Sequence, residues 1–247
     1  MKPTLENILK GKTPKAPRIV LYGVPGVGKS TFAAQAPNPI FLQTENGINH
    51  LDVAKFPLAA TLQDILDALD LLINNQTEYK TLVLDTLDWA ERIIFQQVAK
   101  EQGVADIGEI GYGKGPRMAV PHWDKIVRKL DALSEKNMAI ILLAHSKITK
   151  FKSPDTTDYD RYEMDLDKNG SSLFVEWADA VLFANYRVYT SVEKGSTVAK
   201  GTGNGERILF TERRPAFEAK NRYNLPPEMK LSWPDVLSGI NLTYKGK

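Results

Sequence analysis

Short apolar segments recur along the chain, and polar or turn-forming residues separate them. Five of these segments have the length of a buried β-strand: residues 18–22, 39–43, 80–85, 138–145 and 179–185. They are nearly continuous apolar runs without the alternation of a half-exposed strand, which is typical of strands buried on both faces. The pattern therefore predicts the strands of a mostly parallel sheet.

Helical periodicity occupies the intervals between these strands. From Leu62 to Ile73, and again from Val120 to Leu130, apolar residues recur every three or four positions. Strands that alternate with helices predict an α/β fold with helices on both faces of the sheet. After about residue 186 the strand-like segments lie close together around a glycine-rich turn at 195–205, which predicts an antiparallel hairpin appended to the sheet.

The same pattern suggests how the chain is divided. Residues 1–16 are polar and rich in proline, so we expect an N-terminal arm, followed by one folded domain at 17–235 and a C-terminal tail at 236–247. Two long segments, 103–118 and 146–171, resist assignment to regular structure and are predicted to be loops. Loops of this length in a compact domain are usually either functional or mobile.

Composition excludes several classes of function. The chain has 247 residues, 32 Lys and Arg, 30 Asp and Glu, and no cysteine. A formal net charge of +2 gives no support for a nucleic-acid or membrane partner, so any basic surface must be local. The absence of cysteine removes disulfides and thiolate chemistry. Because no segment approaches the ~18 apolar residues of a membrane span, we expect a soluble, cytoplasmic protein.

A phosphate-binding loop is the most specific motif. The segment GVPGVGKS follows the first predicted strand and matches the pattern G-x-x-x-x-G-K-[ST]. In a strand–loop–helix setting, backbone N–H groups surround phosphate oxygens. Lys29 is then expected to reach the β- and γ-phosphates, and the hydroxyl of Ser30 to bind Mg²⁺. The predicted nucleotide-binding residues are Gly23, Val24, Pro25, Gly26, Val27, Gly28, Lys29, Ser30 and Thr31.

Two carboxylates are candidates for the rest of such a site. Asp85 ends an apolar segment and is expected to orient the waters of a bound Mg²⁺; as an alternative, it could cap the helix that follows. These two readings are compatible. Glu45 follows the second predicted strand and could activate the attacking water. From its position alone, Glu45 could also be a solvated loop residue.

Together these features resemble the RecA-like P-loop ATPases. The resemblance rests on GVPGVGKS, on TENG after the second strand, on the strand ending in Asp85, on LLAHS, and on a final hairpin that carries EAKNRYNLP. It covers roughly residues 17–235 and is greatest to small phage ATP-binding proteins related to single-strand-annealing recombinases. It implies a RecA-like core, ATP and Mg²⁺ as ligands, and a homo-oligomer that is a ring or a filament in an infected or lysogenic bacterial host.

The resemblance also implies roles for individual residues. It makes Glu45 the water-activating carboxylate and His145 the γ-phosphate sensor, where many relatives have glutamine. It makes Lys220 and Arg222 cations that reach the γ-phosphate of a neighbouring subunit. From the sequence alone, His145 could be an ordinary polar residue at a strand end, and Lys220 and Arg222 could share one solvated face of a strand.

The two long segments correspond in order to those that line the DNA channel of RecA-like assemblies. Basic groups beside an aromatic ring suit single-stranded DNA. An acidic tract at 155–167 argues against this, since it could pair with the basic residues in a solvated loop. The resemblance further suggests a single-strand-binding protein as a partner. The predicted DNA-binding residues are Lys114, Arg117, Lys147, Lys150, Phe151 and Lys152.

Three functions remain in competition. The first is a Mg-dependent, DNA-stimulated ATPase of phage recombination or annealing. The second is a small-molecule kinase, for which we expect an arginine-rich lid; Arg161 is alone in its segment. The third is a scaffold that uses ATP to set its assembly state and hydrolyses little.

Overall fold

The computed structural model describes residue 8, residues 10–192 and residues 199–245. Its strands are β1 (Arg18–Gly23), β2 (Pro39–Gln43), β3 (Ala54–Lys55), β4 (Thr81–Asp85), β5 (Ala139–Phe151), β6 (Tyr159–Met164), β7 (Ala180–Tyr186), β8 (Tyr189–Val192), β9 (Ala199–Thr202), β10 (Arg207–Phe210), β11 (Lys220–Asn221) and β12 (Glu228–Lys230). Its helices are α1 (Lys29–Ala33), α2 (Leu62–Asn74), α3 (Leu87–Gln102), α4 (Gly115–Met118), α5 (Val120–Glu135), α6 (Lys168–Trp177) and α7 (Trp233–Lys245).

One large sheet organises the chain. Its strand order is β12-β10-β7-β1-β5-β4-β2-β3, with β11 on β7 and β6 on β5. In this order, the six neighbouring strands β7, β1, β5, β4, β2 and β3 pair in parallel. Strands β10, β11 and β12 pair antiparallel with their neighbours. The predicted α/β fold, with a mostly parallel sheet, flanking helices and antiparallel strands near the C-terminus, is confirmed. Parallel strands bring their carboxyl ends to one edge, and the phosphate loop follows β1 at that edge.

The core lies on both faces of the sheet. On one face α2, α3, α5 and α6 pack on alternate strand residues such as Val20, Leu84 and Leu142. On the other face α1 and α7 pack on residues such as Leu21 and Ile141. Both faces are covered, which explains why the central strands are continuous apolar runs.

The helices begin and end where the local sequence directs. Thr61 caps α2: its side chain accepts from the Asp64 N–H, and the Asp64 carboxylate accepts from the Thr61 N–H. This capping box fixes the first turn. Helix α3 ends at Gly103, whose φ of 67° lies in the left-handed region that favours glycine. Within the described residues, no helix is long and apolar enough to cross a membrane.

The prediction that 146–171 is a loop is wrong. Strand β5 continues to Phe151 and pairs with β6 in an antiparallel hairpin, and α6 begins at Lys168. The register places Lys147 opposite Glu163 and Lys150 opposite Asp160. Cross-strand pairs of opposite charge stabilise such a hairpin, so the acidic tract and the basic tract are two strands of one element. Segment 103–118 contains two short 3-10 turns and α4, separated by irregular backbone.

The C-terminal part differs in detail from the predicted hairpin. Strand β10 pairs with the end of β7, and β8 pairs with β9 in a separate two-stranded sheet. The predicted turn at 195–205 thus contains a strand. Its residues 195–198 lie outside the described residues, as do residues 1–7 and 9 of the predicted arm and the last two residues of the predicted tail. Helix α7 spans the predicted boundary at 235, with Trp233 packed edge-on against Phe32.

Candidate nucleotide-binding site

The phosphate loop connects β1 to α1, and its glycines are required by its geometry. Gly26 and Gly28 have φ values of 75° and 102°, a region that residues with side chains rarely adopt. At Gly23 a Cβ atom would lie 2.1 Å from the carbonyl oxygen of Ala184 on β7. The loop therefore curls tightly against the neighbouring strand, in the glycine-dependent conformation that is typical of anion-binding loops.

Lys29 lies inside this loop. Its side chain is 6% exposed, and its Nζ donates to the carbonyl oxygens of Gly23 at 3.1 Å and Val24 at 3.3 Å. Among the described residues, no carboxylate lies within ion-pair distance of Nζ. Burial lowers the pKa of Lys29, and the negative charges of Asp85, Asp88 and Glu45 oppose that shift. The ammonium group is thus held by neutral oxygens and can turn toward an anion in the loop.

Ser30 and Asp85 lie in contact at the carboxyl edge of the sheet. The Ser30 hydroxyl donates to Asp85 Oδ2 at 2.6 Å, and Asp85 is 5% exposed at the end of β4. Burial raises the pKa of Asp85, while the Ser30 hydrogen bond opposes the shift. Two adjacent oxygen groups of this kind fit Mg²⁺, which takes its remaining ligands from water and phosphate.

A second acidic group, which the sequence analysis missed, supports His145. Asp88 on α3 accepts from the backbone N–H of His145 at 2.9 Å, and its Oδ2 lies 3.0 Å from His145 Nδ1. Burial alone would raise the pKa of Asp88, but these hydrogen bonds hold it below its usual value. An ionised carboxylate can only accept a hydrogen bond, so the proton of this contact is on Nδ1. Nε2 is then the ring nitrogen that is left to contact a ligand.

Glu45 completes the group. Its Oε2 lies 4.0 Å from His145 Nδ1, and the backbone N–H groups of Thr44 and Glu45 donate to the Asp85 carbonyl at 2.8 Å and 3.3 Å. These bonds tie the segment after β2 to the end of β4. One cavity of about 260 Å³ results, lined by Gly26, Gly28, Lys29, Ser30, Thr31, Glu45, Gly47, His50, Asp85, Thr86 and His145.

The comparison with protein families agrees with this arrangement. A family profile described as AAA domain matches residues 15–223, which is more than half of the chain. The chain belongs to the AAA domain family. These are P-loop ATPase-type domains, so the match supports nucleotide binding and ATPase activity for this chain. A search of curated proteins found no match.

Lys220 and Arg222 lie at the other edge of the AAA domain sheet. Lys220 pairs with Val181 on β7. Val181 is three residues before Ala184, which is the residue of β7 that pairs with Gly23. Its Nζ donates to the carbonyl oxygens of Val175 at 2.7 Å and Glu176 at 2.9 Å, at the end of α6. Arg222 Nη1 donates to Asp179 at 3.1 Å. Both cations are thus bonded at the amino end of β7, away from the phosphate loop of their own chain.

The predicted DNA-binding residues fall into two groups. Lys114 and Arg117 are exposed, and Arg117 lines a cavity of about 340 Å³ with residues 167–169. In the AAA domain the two long segments are therefore neighbours.

The second group lies on the β5–β6 hairpin. Lys147 donates to the Leu166 carbonyl at 2.7 Å and lies 3.6 Å from Asp165, and Lys150 lies 3.9 Å from Asp158. The ring of Phe151 packs against Tyr159, and Lys152 is exposed. Acidic neighbours thus accompany most of the basic residues of this group.

Two further residues at the loop could not be identified from the sequence. Tyr186 at the end of β7 donates from its hydroxyl to the Gly26 carbonyl at 3.0 Å. Arg207 at the start of β10 lies beside Gly28. A tyrosine and an arginine far along the chain carry no local signal, since only the pairing of β10 with β7 brings them to the loop.

Proposed function

We propose that this AAA domain hydrolyses MgATP and acts as an oligomer on single-stranded DNA in phage recombination or annealing. The observation that carries the hydrolytic part is the position of Glu45 and His145. Both line the cavity that holds Lys29, Ser30 and Asp85. Glu45 lies two residues beyond the end of β2, and His145 lies within β5 at the last residue that pairs with β1. A carboxylate, a hydrogen-bonding ring and a cation thus converge where a γ-phosphate would lie, as phosphoryl transfer to water requires.

Each residue has a distinct role in this proposal. Lys29 leaves the carbonyls of Gly23 and Val24 and donates to phosphate oxygens. Ser30 and Asp85 hold Mg²⁺, which when bound neutralises charge on the β- and γ-phosphates. Glu45 accepts a proton from, or orients, the attacking water. His145 presents Nε2 to the γ-phosphate, and Asp88 orients the ring through its contact with Nδ1.

The proposed oligomer would use cations at the amino edge of the sheet. Lys220 and Arg222 are remote from their own phosphate loop, so only a neighbouring subunit could bring them to a γ-phosphate. Their hydrogen bonds to the end of α6 and to Asp179 would then position them for that contact. Such cations stabilise the charge that develops on the transferred phosphoryl group.

The DNA part is supported by the proximity of the two long segments. Lys114 and Arg117 extend from exposed backbone near residues 167–169, and the β5–β6 hairpin adds Lys147, Lys150, Phe151 and Lys152. Cations beside an aromatic ring suit phosphates and bases of a single strand. A single-strand-binding protein that delivers this substrate would fit the same role.

The kinase alternative is not favoured. Arg161 is 4% exposed and its Nη2 donates to Glu218 at 2.9 Å, so it supports the hairpin and cannot close over a substrate. The scaffold alternative differs from the proposal only in turnover.

The test is steady-state release of phosphate from MgATP by the full chain, with and without single-stranded DNA, across protein concentration. We expect release that DNA stimulates and that rises more than linearly with protein. Glu45→Gln should abolish release while ATP binding is kept, and Glu78→Gln, at an exposed site, should change neither. Release that is absent in the wild type, or unchanged by Glu45→Gln, would favour the scaffold, and phosphate transfer to a metabolite would favour the kinase.

A further inference from the structure

Arg207 lies against the phosphate loop from the side opposite the acidic residues. A Cβ atom built on Gly28 would be 2.9 Å from Arg207 Nη1 and 3.7 Å from its Cζ. The guanidinium group therefore occupies the space next to the loop glycine that lines the nucleotide cavity. Arg207 is far from Gly28 in sequence, and β-sheet pairing alone brings them together.

The position of Arg207 is fixed by the strands around it. Arg207 is the partner of Tyr186 in the β7–β10 ladder, and the Tyr186 hydroxyl donates to the Gly26 carbonyl at 3.0 Å. Leu231 Cδ2 lies 3.7 Å from the same Cβ position at Gly28. Tyr186, Arg207 and Leu231 thus form one wall of the loop, which we call the β10 wall.

Arg207 differs from the nearby arginines in its ion pairing. Arg187 bonds Glu206 at 3.2 Å and Glu228 at 3.0 Å, and Arg214 bonds Glu228 at 2.9 Å. Within the described residues, Arg207 makes no ion pair and is exposed at the loop. An arginine beside an anion-binding loop has donors to offer, because its planar fork matches phosphate geometry.

The sheet order decides which part of a nucleotide would meet this wall. Strand β1 lies between β5 and β7. The residues assigned to the γ-phosphate and Mg²⁺, namely Asp85, Glu45 and His145, are all on the β5 side. A triphosphate that enters the loop with its γ-phosphate toward them has its nucleoside end toward β7 and β10.

We propose that Arg207 binds the α- and β-phosphates of the nucleotide, as a second cation from the same chain. This inference rests on the proposed nucleotide binding and makes Arg207 a substrate-positioning residue, separate from the hydrolytic group. Because ADP keeps both of these phosphates, Arg207 contributes equally to binding of ATP and ADP.

The experiment measures binding, independent of turnover. The full chain and the variants Arg207→Ala and Arg207→Lys are titrated calorimetrically with MgADP and with a non-hydrolysable ATP analogue. Charge-assisted hydrogen bonds of this kind contribute about 1.5–3 kcal/mol, so Arg207→Ala should weaken both ligands by about tenfold or more. Arg207→Lys should recover part of the loss. Lys230→Ala, which removes an exposed cation from the adjacent strand β12, should leave both affinities unchanged.

Each other result overturns the inference. Unchanged affinity for both ligands in Arg207→Ala would show that Arg207 is only a solvated side chain at the loop. Loss confined to the ATP analogue would place Arg207 at the γ-phosphate. A wild-type chain that binds neither ligand would refute the proposed nucleotide site together with this inference. The thermal midpoint of each variant without nucleotide separates loss of binding from loss of fold, and Arg207→Lys keeps the test open if the alanine variant unfolds.

Discussion

The two ends of β1 carry charge clusters that differ in how their charges are satisfied. At the carboxyl end, Lys29 is held by backbone carbonyls and Asp85 by a hydroxyl; burial lowers the pKa of Lys29 and raises the pKa of Asp85. At the amino end, Arg18 bonds Asp179 at 3.2 Å and Asp131 at 3.1 Å. Burial disfavours the charged forms of Arg18 and Asp179 too, but the hydrogen bonds and the opposite charges have the larger combined effect. The pKa of Arg18 is therefore raised and the pKa of Asp179 is lowered.

The difference separates a binding site from a structural cluster. Both ends bury charged groups, but only the amino end supplies each charge with an opposite one. A cluster that lacks partners is completed by a charged ligand, whereas a cluster that completes itself stabilises the fold. Substitutions at the two ends should therefore affect different measurements.

The largest effect is expected at Lys29. Lys29→Ala removes the cation that would reach two phosphates, so nucleotide affinity should fall by about 100-fold, since each charge-assisted hydrogen bond contributes about 1.5–3 kcal/mol. Stability without nucleotide should stay the same or rise, because a buried, unpaired ammonium is removed. Calorimetric titration with MgADP and thermal unfolding measure the two quantities. Lys80→Ala, at an exposed site, is the control; equal nucleotide affinity in both variants would contradict the assignment of the site.

Glu91 extends the comparison to a carboxylate outside both clusters. It is 7% exposed on α3, its Oε2 accepts from the Asp167 N–H at 2.9 Å, and burial raises its pKa to about 7. The folded state therefore binds a proton that the unfolded state releases near the ordinary pKa of a glutamate. The stability that protonated Glu91 contributes is therefore lost as pH rises from the ordinary glutamate pKa to about 7.

Glu91→Gln should remove this pH dependence. The wild type should lose about 2 kcal/mol of its free energy of unfolding between pH 5 and pH 8 through Glu91, and the variant should not. This figure follows from about 1.4 kcal/mol per pKa unit. Urea unfolding at the two pH values measures it. Parallel pH profiles for the two proteins would show that Glu91 is ionised in the fold at both values.

A smaller effect is expected at Asp179. Asp179→Asn weakens the ion pairs with Arg18 and Arg222, which are partly solvated, so the chain should lose about 1–2 kcal/mol of stability. Because the folded pKa of Asp179 is lowered, the stability that it contributes is present above the ordinary carboxyl pKa and is lost as pH falls.

Asp179→Asn should leave nucleotide affinity unchanged. Asp155→Asn, at an exposed site, controls for loss of charge. A fall in ADP affinity in Asp179→Asn would show that the two ends of β1 are not independent.

The smallest effect is expected on the hairpin. Asp158→Asn breaks an exposed ion pair with Lys150, so stability should change by less than about 0.5 kcal/mol. If Lys150 contacts DNA, the variant should bind single-stranded DNA slightly more tightly, since an acidic neighbour is neutralised. Fluorescence anisotropy at low salt measures this. A loss of stability above about 1 kcal/mol would mean that the pair supports the hairpin.

The parallel part of the fold could be predicted from the sequence because the signals for its strands and helices are local. Strand β2 begins and ends where the apolar run at 39–43 does, and α2 follows the periodicity from Leu62. The phosphate loop is a contiguous motif, and Asp85 directly ends a strand. In such cases one short segment determines the structure.

The features that were missed depend on pairing between distant residues. The β5–β6 hairpin is polar on each strand, and its stability comes from cross-strand contacts such as Lys147 with Glu163, which no periodicity reveals. Asp88 is a helix residue one turn after Asp85, and only the position of β5 makes it the partner of His145. Arg207 lies beside the phosphate loop only because β10 pairs with β7.

Strand β5 changes its pairing partner after His145. Up to that residue β5 pairs in parallel with β1, and from Ser146 to Phe151 it pairs with β6 alone. At about 3.3 Å per residue, the far end of β5 lies about 20 Å beyond the nucleotide site. The hairpin thus extends from the residue that is proposed to sense the γ-phosphate. A spectroscopic label on residues 152–158 would report a small rotation at His145 as a larger displacement, without contact with the nucleotide.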